Sequence, residues 1–354
     1  MKKIAMIGIL PPPYGGRATY FKKLYKSLSE IYGKDSIDLY LLNKSDNREV
    51  NEGNSNIKSI IWHTLIKKYA IIHSNDENYK YIFVLGLLKK ITKTKLILTH
   101  HSVRYNPKEF NKLRFFIFKK AINYVDLNLV VGNKEFKELS RYISSNQKIV
   151  EISPYIESLN GTNKPAKKIS EQRSLTFGWN GAVRFFENKD LYGLDICIKS
   201  FCNLKASFPH VKLVLSLLDF KDDLIGQSYV IEILKVVPQS VIDDIEIIED
   251  GVEPEIFRNK IDVLLRPNYS DSFGLSVIEC LSEGIPVIAS DVCMRPKGCR
   301  TFSNRNELEL ENELRYMMNH YKDIYNEINS YTYKGSLKET LKIYENIMNR
   351  KGVI

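Results

Sequence analysis

A chain of 354 residues with 44% hydrophobic residues has enough apolar material for two cores, and the lack of repeats or low-complexity tracts excludes a fibrous or disordered protein. Five cysteines (Cys197, Cys202, Cys280, Cys293, Cys299), odd in number and without a Cys-x-x-Cys pair, argue against a disulfide or zinc framework. The net charge of +10 is unevenly shared: residues 1–170 carry 30 Lys and Arg against 14 Asp and Glu, and residues 171–354 carry 22 against 28. Two domains with different partners are expected, the first meeting something anionic. No nucleic-acid module occurs, so nucleic acid is not expected as that partner.

Lys3 to Leu10 is an almost unbroken apolar run, as a parallel strand buried on both faces requires. It has too short an apolar core, and no small-residue cleavage site, for a signal peptide, and no run approaches a membrane span, so a cytoplasmic protein is expected. Pro11 to Gly16 supplies a turn, and Tyr20, Phe21, Leu24, Leu28 and Ile31 then recur at helical spacing. That places free amides at Gly15 and Gly16, at the end of a strand where open α/β sheets bind ligands. Ile37 to Leu42 and Ile57 to Trp62 read as strands with a polar loop, Asp46 to Asn56, between them. Lys95 to Thr99 reads as a central strand ending at His100-His101-Ser102, where His101 offers a hydrogen-bond donor and acceptor.

Pro107 to Ile122 reads as a helix mixing Phe110, Leu113, Phe116 and Ile117 with Lys112, Arg114, Lys119 and Lys120. Phe115 and Phe118 exceed what one buried stripe needs, which leaves a membrane-surface helix and a packing helix with a solvated basic face both open. Val125 to Val131, Lys134 to Tyr142 and Lys148 to Ile152 read as strand, helix and strand. Residues 1–160 then form one domain, 161–172 a linker rich in Lys, Asn and Gly, 173–334 a second domain, and 335–354 a final helix. In the second domain Leu175 to Gly181, Val211 to Leu217 and Ile245 to Ile248 read as strands, with helices at about 193–204 and 306–320.

The most informative stretch is Arg266 to Asp291. Ile261 to Leu265 is a short apolar run, a polar loop reaches Ser272, a helix spans about Phe273 to Glu283, Gly284 stops it, and Pro286 to Ser290 is a β-branched run. The unpaired amides of Phe273, Gly274 and Leu275 sit at the positive end of that helix, where a phosphate fits. Asp271 lies on the loop before them and Glu279 about 9 Å further along the helix axis. A sugar diphosphonucleoside has the same layout: sugar hydroxyls for Asp271, diphosphate for the amides, ribose hydroxyls for Glu279.

Asp271-Ser272-Phe273-Gly274-Leu275-Ser-Val-Ile-Glu279 resembles the E-x7-E motif of the retaining family-4 glycosyltransferases, with Asp for the first Glu and Ser272 for the first Gly. Ser290-Asp-Val-Cys-Met-Arg-Pro-Lys-Gly298 is similar to the ending found in a polysaccharide-assembly subgroup. The resemblance implies an α/β protein of the GT-B fold: two Rossmann-like domains whose parallel sheets face a central cleft, with the C-terminal helix crossing back to the first domain. It implies a nucleotide-sugar donor, UDP ahead of GDP, held by Gly15, Gly16, Gly181, Ser272, Phe273, Gly274, Leu275 and Glu279, with the base at a loop containing Gly251 and Val252. It implies roles for Asp271 and His101 in orienting the reacting groups.

The family's Arg and Lys at the start of the second domain are absent, since Ala182 follows Gly181 and Tyr192 precedes Gly193; Arg184 and Lys189 are the nearby cations that would screen the leaving diphosphate. No metal or other cofactor is expected. The acceptor implied is a lipid-linked saccharide or a polysaccharide in bacterial surface polysaccharide synthesis, which would bring the protein peripherally to the anionic inner leaflet of the cytoplasmic membrane. A nucleotide-sugar epimerase of the same fold, and an inactive relative that binds a partner without turnover, are the competing readings.

Overall fold

The computed structural model describes residues 3–12, 15–42, 57–67, 69–101, 110–145, 148–157 and 174–349. The loop expected at 46–56, Ser102, Pro107 to Glu109 and the linker at 161–172 lie outside the described residues. The chain divides into two compact units, residues 1–160 with 334–354, and residues 161–333.

Unit 1 runs β1 (Ile4–Gly8), α1 (Gly16–Tyr32), β2 (Ile37–Leu41), α2 (Ile57–Lys67), β3 (Ile71–Ser74), α3 (Tyr79–Thr92), β4 (Lys95–His100), α4 (Lys112–Tyr124), β5 (Leu127–Val131), α5 (Asn133–Ser140) and β6 (Ile149–Ile152). Its strands form a six-stranded parallel sheet in the order β2-β1-β3-β4-β5-β6. β1 is buried on both faces: Ile4 and Met6 join Tyr20, Phe21, Leu24 and Leu28 of α1, while Ala5 and Ile7 join Ile60, Ile82, Leu85 and Ala121 of α2, α3 and α4. The helix layers on the two faces account for its continuous apolar sequence.

Two readings of the sequence are corrected here. Ile57 to Trp62 is not a strand but the first half of α2. Ile60 and Thr64 are buried at a spacing of four, and the Thr64 hydroxyl donates to the Ile60 carbonyl at 2.6 Å, so a helical period prevails over the β-branched composition. The strand of this region is β3, four residues whose second half, His73-Ser74, is polar and buried. In α4, Phe118 is buried and Phe115 half-buried, its ring 5.9 Å from Tyr142, so neither is an outward ring; the exposed large apolar side chains of this helix are Leu113 and Phe116.

Unit 2 runs β7 (Thr176–Gly181), β8 (Phe185–Phe186), β9 (Lys189–Asp190), α6 (Leu194–Lys205), β10 (Lys212–Leu217), α7 (Leu224–Lys235), α8 (Gln239–Ile242), β11 (Ile245–Ile248), α9 (Pro254–Lys260), β12 (Val263–Arg266), α10 (Leu275–Ser282), β13 (Val287–Ser290), β14 (Arg300–Phe302) and α11 (Glu307–Asn329). A second six-stranded parallel sheet has the order β11-β10-β7-β12-β13-β14. β8 and β9 form a small antiparallel hairpin whose two turn residues, Glu187 and Asn188, both take positive φ, as a two-residue hairpin turn demands. The last helix, α12 (Leu337–Asn349), returns to unit 1: Leu337 and Tyr344 are in the same core as α1, and the Tyr344 hydroxyl lies 2.6 Å from Nδ1 of His73.

Candidate functional site

Each sheet reverses its strand order beside its first strand: β1 has β2 on one side and β3 on the other, and β7 has β10 on one side and β12 on the other. Loops leaving the C-terminal ends of such a strand pair diverge and leave a crevice in which open α/β sheets take ligands. Gly15 and Gly16 follow β1 and Asn75 to Asn78 follow β3; Ala182 to Arg184 follow β7 and Pro267 to Gly274 follow β12. Gly15, Gly16, Gly181, Arg184 and the loop from Asp271 to Gly274 therefore fall at the two switch points, whereas His101 follows β4, and Gly251 and Val252 follow β11.

In unit 2, Asp271 is the centre of a buried ion-pair cluster. Its Oδ2 accepts from Arg266 Nε at 2.8 Å and from Arg295 Nη1 at 2.9 Å, and its Oδ1 accepts from the Ser272 amide at 3.1 Å. Burial would raise the carboxyl, but the two guanidiniums outweigh it and hold Asp271 down at about 2. Gly274 caps α10 with φ +77°, and a Cβ there would lie 2.6 Å from Arg295 Nη1 and 3.0 Å from Asp271 Oδ2. Glycine is thus needed both for the left-handed turn and for the approach of Arg295 to Asp271. Among the described residues no side chain accepts from the first-turn amides of α10. At α6, by contrast, Asp190 accepts from the amides of Tyr192, Gly193 and Leu194, and at α7 Asp223 accepts from Gly226. The start of α10 therefore keeps its positive end uncapped by any described side chain, with Arg266 and Arg295 beside it.

Glu279 is on α10 as expected, but it is only 3% exposed and its Oε2 accepts from Arg258 Nη1 at 3.1 Å, while Arg258 also forks onto Glu283 at 2.8 Å. Phe273 and Ser272 are half-buried, the Phe273 carbonyl accepting from Arg295 at 3.4 Å. Gly181 ends β7 and is closed in by the Trp179 and Tyr192 rings. Arg184 is exposed and paired with Asp223 at 2.7 Å and Asp219 at 3.6 Å, and Lys189 lies over the Tyr269 ring, 4.8 Å from its centroid. Gly251, with φ +70°, lies against Leu218, and Val252 packs against the core of the unit. Arg258, Arg266 and Arg295 are the side chains that sequence reasoning missed. Arg266 and Arg295 lie within the stretches that carried the motif, but their convergence on one carboxylate is a tertiary fact.

In unit 1, Gly15 has no obstructing neighbour among the described residues and an extended φ of −171°, and Gly16 is equally open, so neither the described packing nor the backbone geometry requires glycine there. What two glycines provide is room at the start of α1, which no side chain among the described residues caps. Across the sheet, the His101 amide donates to Glu77 Oε1 at 2.8 Å, its Nε2 lies 3.3 Å from Asn75 Oδ1, and its ring meets Tyr20 edge-on. Burial, with help from Arg17, His100 and His73, lowers its pKa to about 3, so the ring is neutral. His100, its neighbour, is fully buried and bonded to Asn128, a packing residue. Among the described residues no His, Cys, Asp and Glu side chains gather in threes as a metal site would need.

No family model matches the sequence. Over 68 residues the chain is 38% identical to the O-antigen biosynthesis glycosyltransferase WclY of Escherichia coli, a stretch that covers 18% of this chain and only 19% of that protein. Solved structures resemble it over their whole length: a glycosyltransferase from Rickettsia africae (TM-score 0.74, 15% identity, 99% of this chain and 100% of that one) and Anabaena HepE, solved with UDP-glucose (TM-score 0.70, 12% identity, 98% of each chain). The lipopolysaccharide outer core galactosyltransferase WaaB is similar as well, with a TM-score of 0.63 at 14% identity over 97% of this chain and 99% of that one. The chain has the GT-B fold.

Proposed function

We propose that the protein is a glycosyltransferase that moves a sugar from a nucleoside diphosphate, UDP ahead of GDP, to a lipid-linked or polysaccharide acceptor in bacterial surface polysaccharide synthesis, with the anomeric configuration retained. The observation that carries this reading is the start of α10: helix amides that no side chain among the described residues caps, a glycine that this geometry requires, Asp271 before it and Glu279 about one turn along, on a GT-B fold. In the reaction the acceptor oxygen bonds to the anomeric carbon as its bond to the diphosphate oxygen breaks, and the leaving phosphate takes the acceptor proton on the same face. The α10 amides and Arg184 neutralise the charge that develops on the leaving group, Arg184 being free to move because half-exposed ion pairs are worth only about 0–1 kcal/mol. Asp271 and neutral His101 orient hydroxyls, and a lipid-linked acceptor places the protein peripherally on the inner leaflet. The similarity of one stretch to an O-antigen enzyme and the UDP-glucose complex of HepE support the donor and pathway class.

Incubating the pure protein with a panel of nucleotide sugars tests the reading. Slow release of nucleoside diphosphate from one donor is the expected result. Interconversion of the donor sugar would instead identify an epimerase, and binding without turnover an inactive relative.

A further inference from the structure

On the face of the unit 1 sheet opposite α1 and α12, the helices α2, α3 and α4 stand as neighbours over one core. Their outward sides are unusual in two independent ways. None of the three contains an Asp or Glu, while together they carry nine Lys and Arg. Lys67 and Lys89 are paired with Asp38 and Asp126, but Lys80, Lys90, Lys112, Arg114, Lys119 and Lys120 are exposed and meet no carboxylate among the described residues. Each helix also turns a pair of large apolar side chains to solvent at a spacing of three or four residues: Trp62 and Ile66 on α2, Leu87 and Ile91 on α3, Leu113 and Phe116 on α4. Trp62 is 63% exposed, Ile91 76% and Leu113 68%. Single exposed apolar residues are ordinary on any protein, but one such pair on each of three adjacent helices is not.

We infer that the outward side of α2, α3 and α4 is a docking surface for an anionic lipid bilayer. The charge selects the occupant. Protein interfaces are depleted in Lys and concentrate their apolar side chains in a central cluster. Here the pairs on α2 and α3 lie toward the helix C-termini and the pair on α4 toward its N-terminus, so apolar side chains are spread among cations. Lys120 also lies over the Phe116 ring, 5.7 Å from its centroid, and Arg114 over Phe110 at 4.5 Å. A plane of anionic headgroups above a hydrocarbon boundary accepts that mixture: the Lys and Arg stems lie along the apolar side chains with their charges at the headgroups, and Trp sits at the interface. The inference deepens the peripheral placement given above and rests on that part of the proposal, but it names a surface other than the Phe115 and Phe118 rings, which are turned inward.

The test is flotation of the full chain with phosphatidylcholine vesicles with and without phosphatidylglycerol, followed by quenching of Trp fluorescence with brominated lipid. Trp62 and Trp179 are the two tryptophans of the chain and Trp179 is buried in unit 2, so quenching reports Trp62. Binding to anionic vesicles that is lost at high salt, with quenching of Trp62, is expected. Each cation near the surface is worth roughly fivefold in affinity, so Lys90→Gln/Lys119→Gln/Lys120→Gln is expected to weaken binding on the order of 10²-fold. Ile91→Ser/Phe116→Ser is expected to weaken it on the order of tenfold. Circular dichroism of each variant checks that it folds. Absence of binding, equal binding to neutral vesicles, binding without quenching, or self-association in solution that these substitutions abolish while vesicles are ignored would each overturn the inference. Donor hydrolysis without vesicles is expected to be the same in every variant, so a failure of docking is distinguishable from a failure of glycosyl transfer.

Discussion

Asp271→Asn separates the structural from the chemical part of the site, because Asp271 does two things at once. Its Oδ2 is shared by Arg266 and Arg295, and Arg295 has a side chain only 3% exposed. Removing the charge leaves two guanidiniums facing an amide in a buried setting, and breaking a buried ion pair by deleting one partner costs about 3–5 kcal/mol. Asparagine retains one acceptor oxygen, so the low end, about 3 kcal/mol, is the appropriate figure. Unit 2 spans residues 161–333, a size at which 1 kcal/mol moves Tm by about 2–4 °C, and calorimetry is expected to show its transition lowered by about 6–12 °C. Below that transition the variant is expected to bind the free nucleoside diphosphate like the parent, since the amides and Glu279 are untouched, and to turn over the donor on the order of 10²-fold more slowly. Arg295→Met is the control: it breaks the same cluster at comparable cost but leaves Asp271 charged and paired with Arg266. Equal losses of turnover in the two variants would reduce Asp271 to a structural anchor. An unchanged transition in Asp271→Asn would refute the ion-pair argument itself.

Glu279→Gln leaves Arg258 its two bonds to Glu283, so stability is expected to fall by only about 1 kcal/mol while nucleoside diphosphate affinity, read by calorimetric titration, falls about tenfold; unchanged affinity removes Glu279 from the ribose site. Arg184→Ala is expected to lower kcat on the order of 10²-fold with Tm nearly constant, and normal turnover in Arg184→Ala, Lys189→Ala and the double variant would move charge neutralisation elsewhere. Acid is expected to unfold unit 1 early. Burial places His73, His100 and His101 at about 3, 4 and 3 against an ordinary 6.5, so below pH 6.5 the unfolded chain binds protons that the folded one refuses. Stability is then full above that pH and falls by about 1.4 kcal/mol per pH unit for each histidine as the pH drops toward 4. Glu77, 3.9 Å from His100 Nδ1, is the carboxylate that opposes this trend. Tm of unit 1 between about pH 7 and pH 5 measures the slope, which His73→Gln is expected to flatten; a pH-independent Tm contradicts the assignment.

What could be read in advance follows from how far each feature reaches along the chain. The β12, loop, α10, β13 unit is built from neighbours in sequence, and its apolar runs, Gly274 and Gly284 lie where local rules put them, so its elements and the order of Asp271 and Glu279 were legible. The partners of those acids were not: Arg258 comes to Glu279 from 21 residues away and Arg295 to Asp271 from 24. The same limit explains α2 and α4. Ile57, Ile60 and Ile61 fit a strand by composition and a helix by spacing, and only the inward Ile60 and Thr64 decide between them. In α4 the flanking α3 and α5 each take a side, so the helix buries two stripes, and Phe115 and Phe118, apparently surplus to a single one, are consumed by the second. Outward apolar residues are therefore identifiable only once the neighbours of a helix are known, which is why Leu113 and Phe116, rather than the more conspicuous phenylalanine pair, define the exposed face. The positive balance of the first half, in contrast, was visible by counting and needed the fold only to show where part of it gathers: on α2, α3 and α4, which hold nine of its 30 cations without a single acid among them.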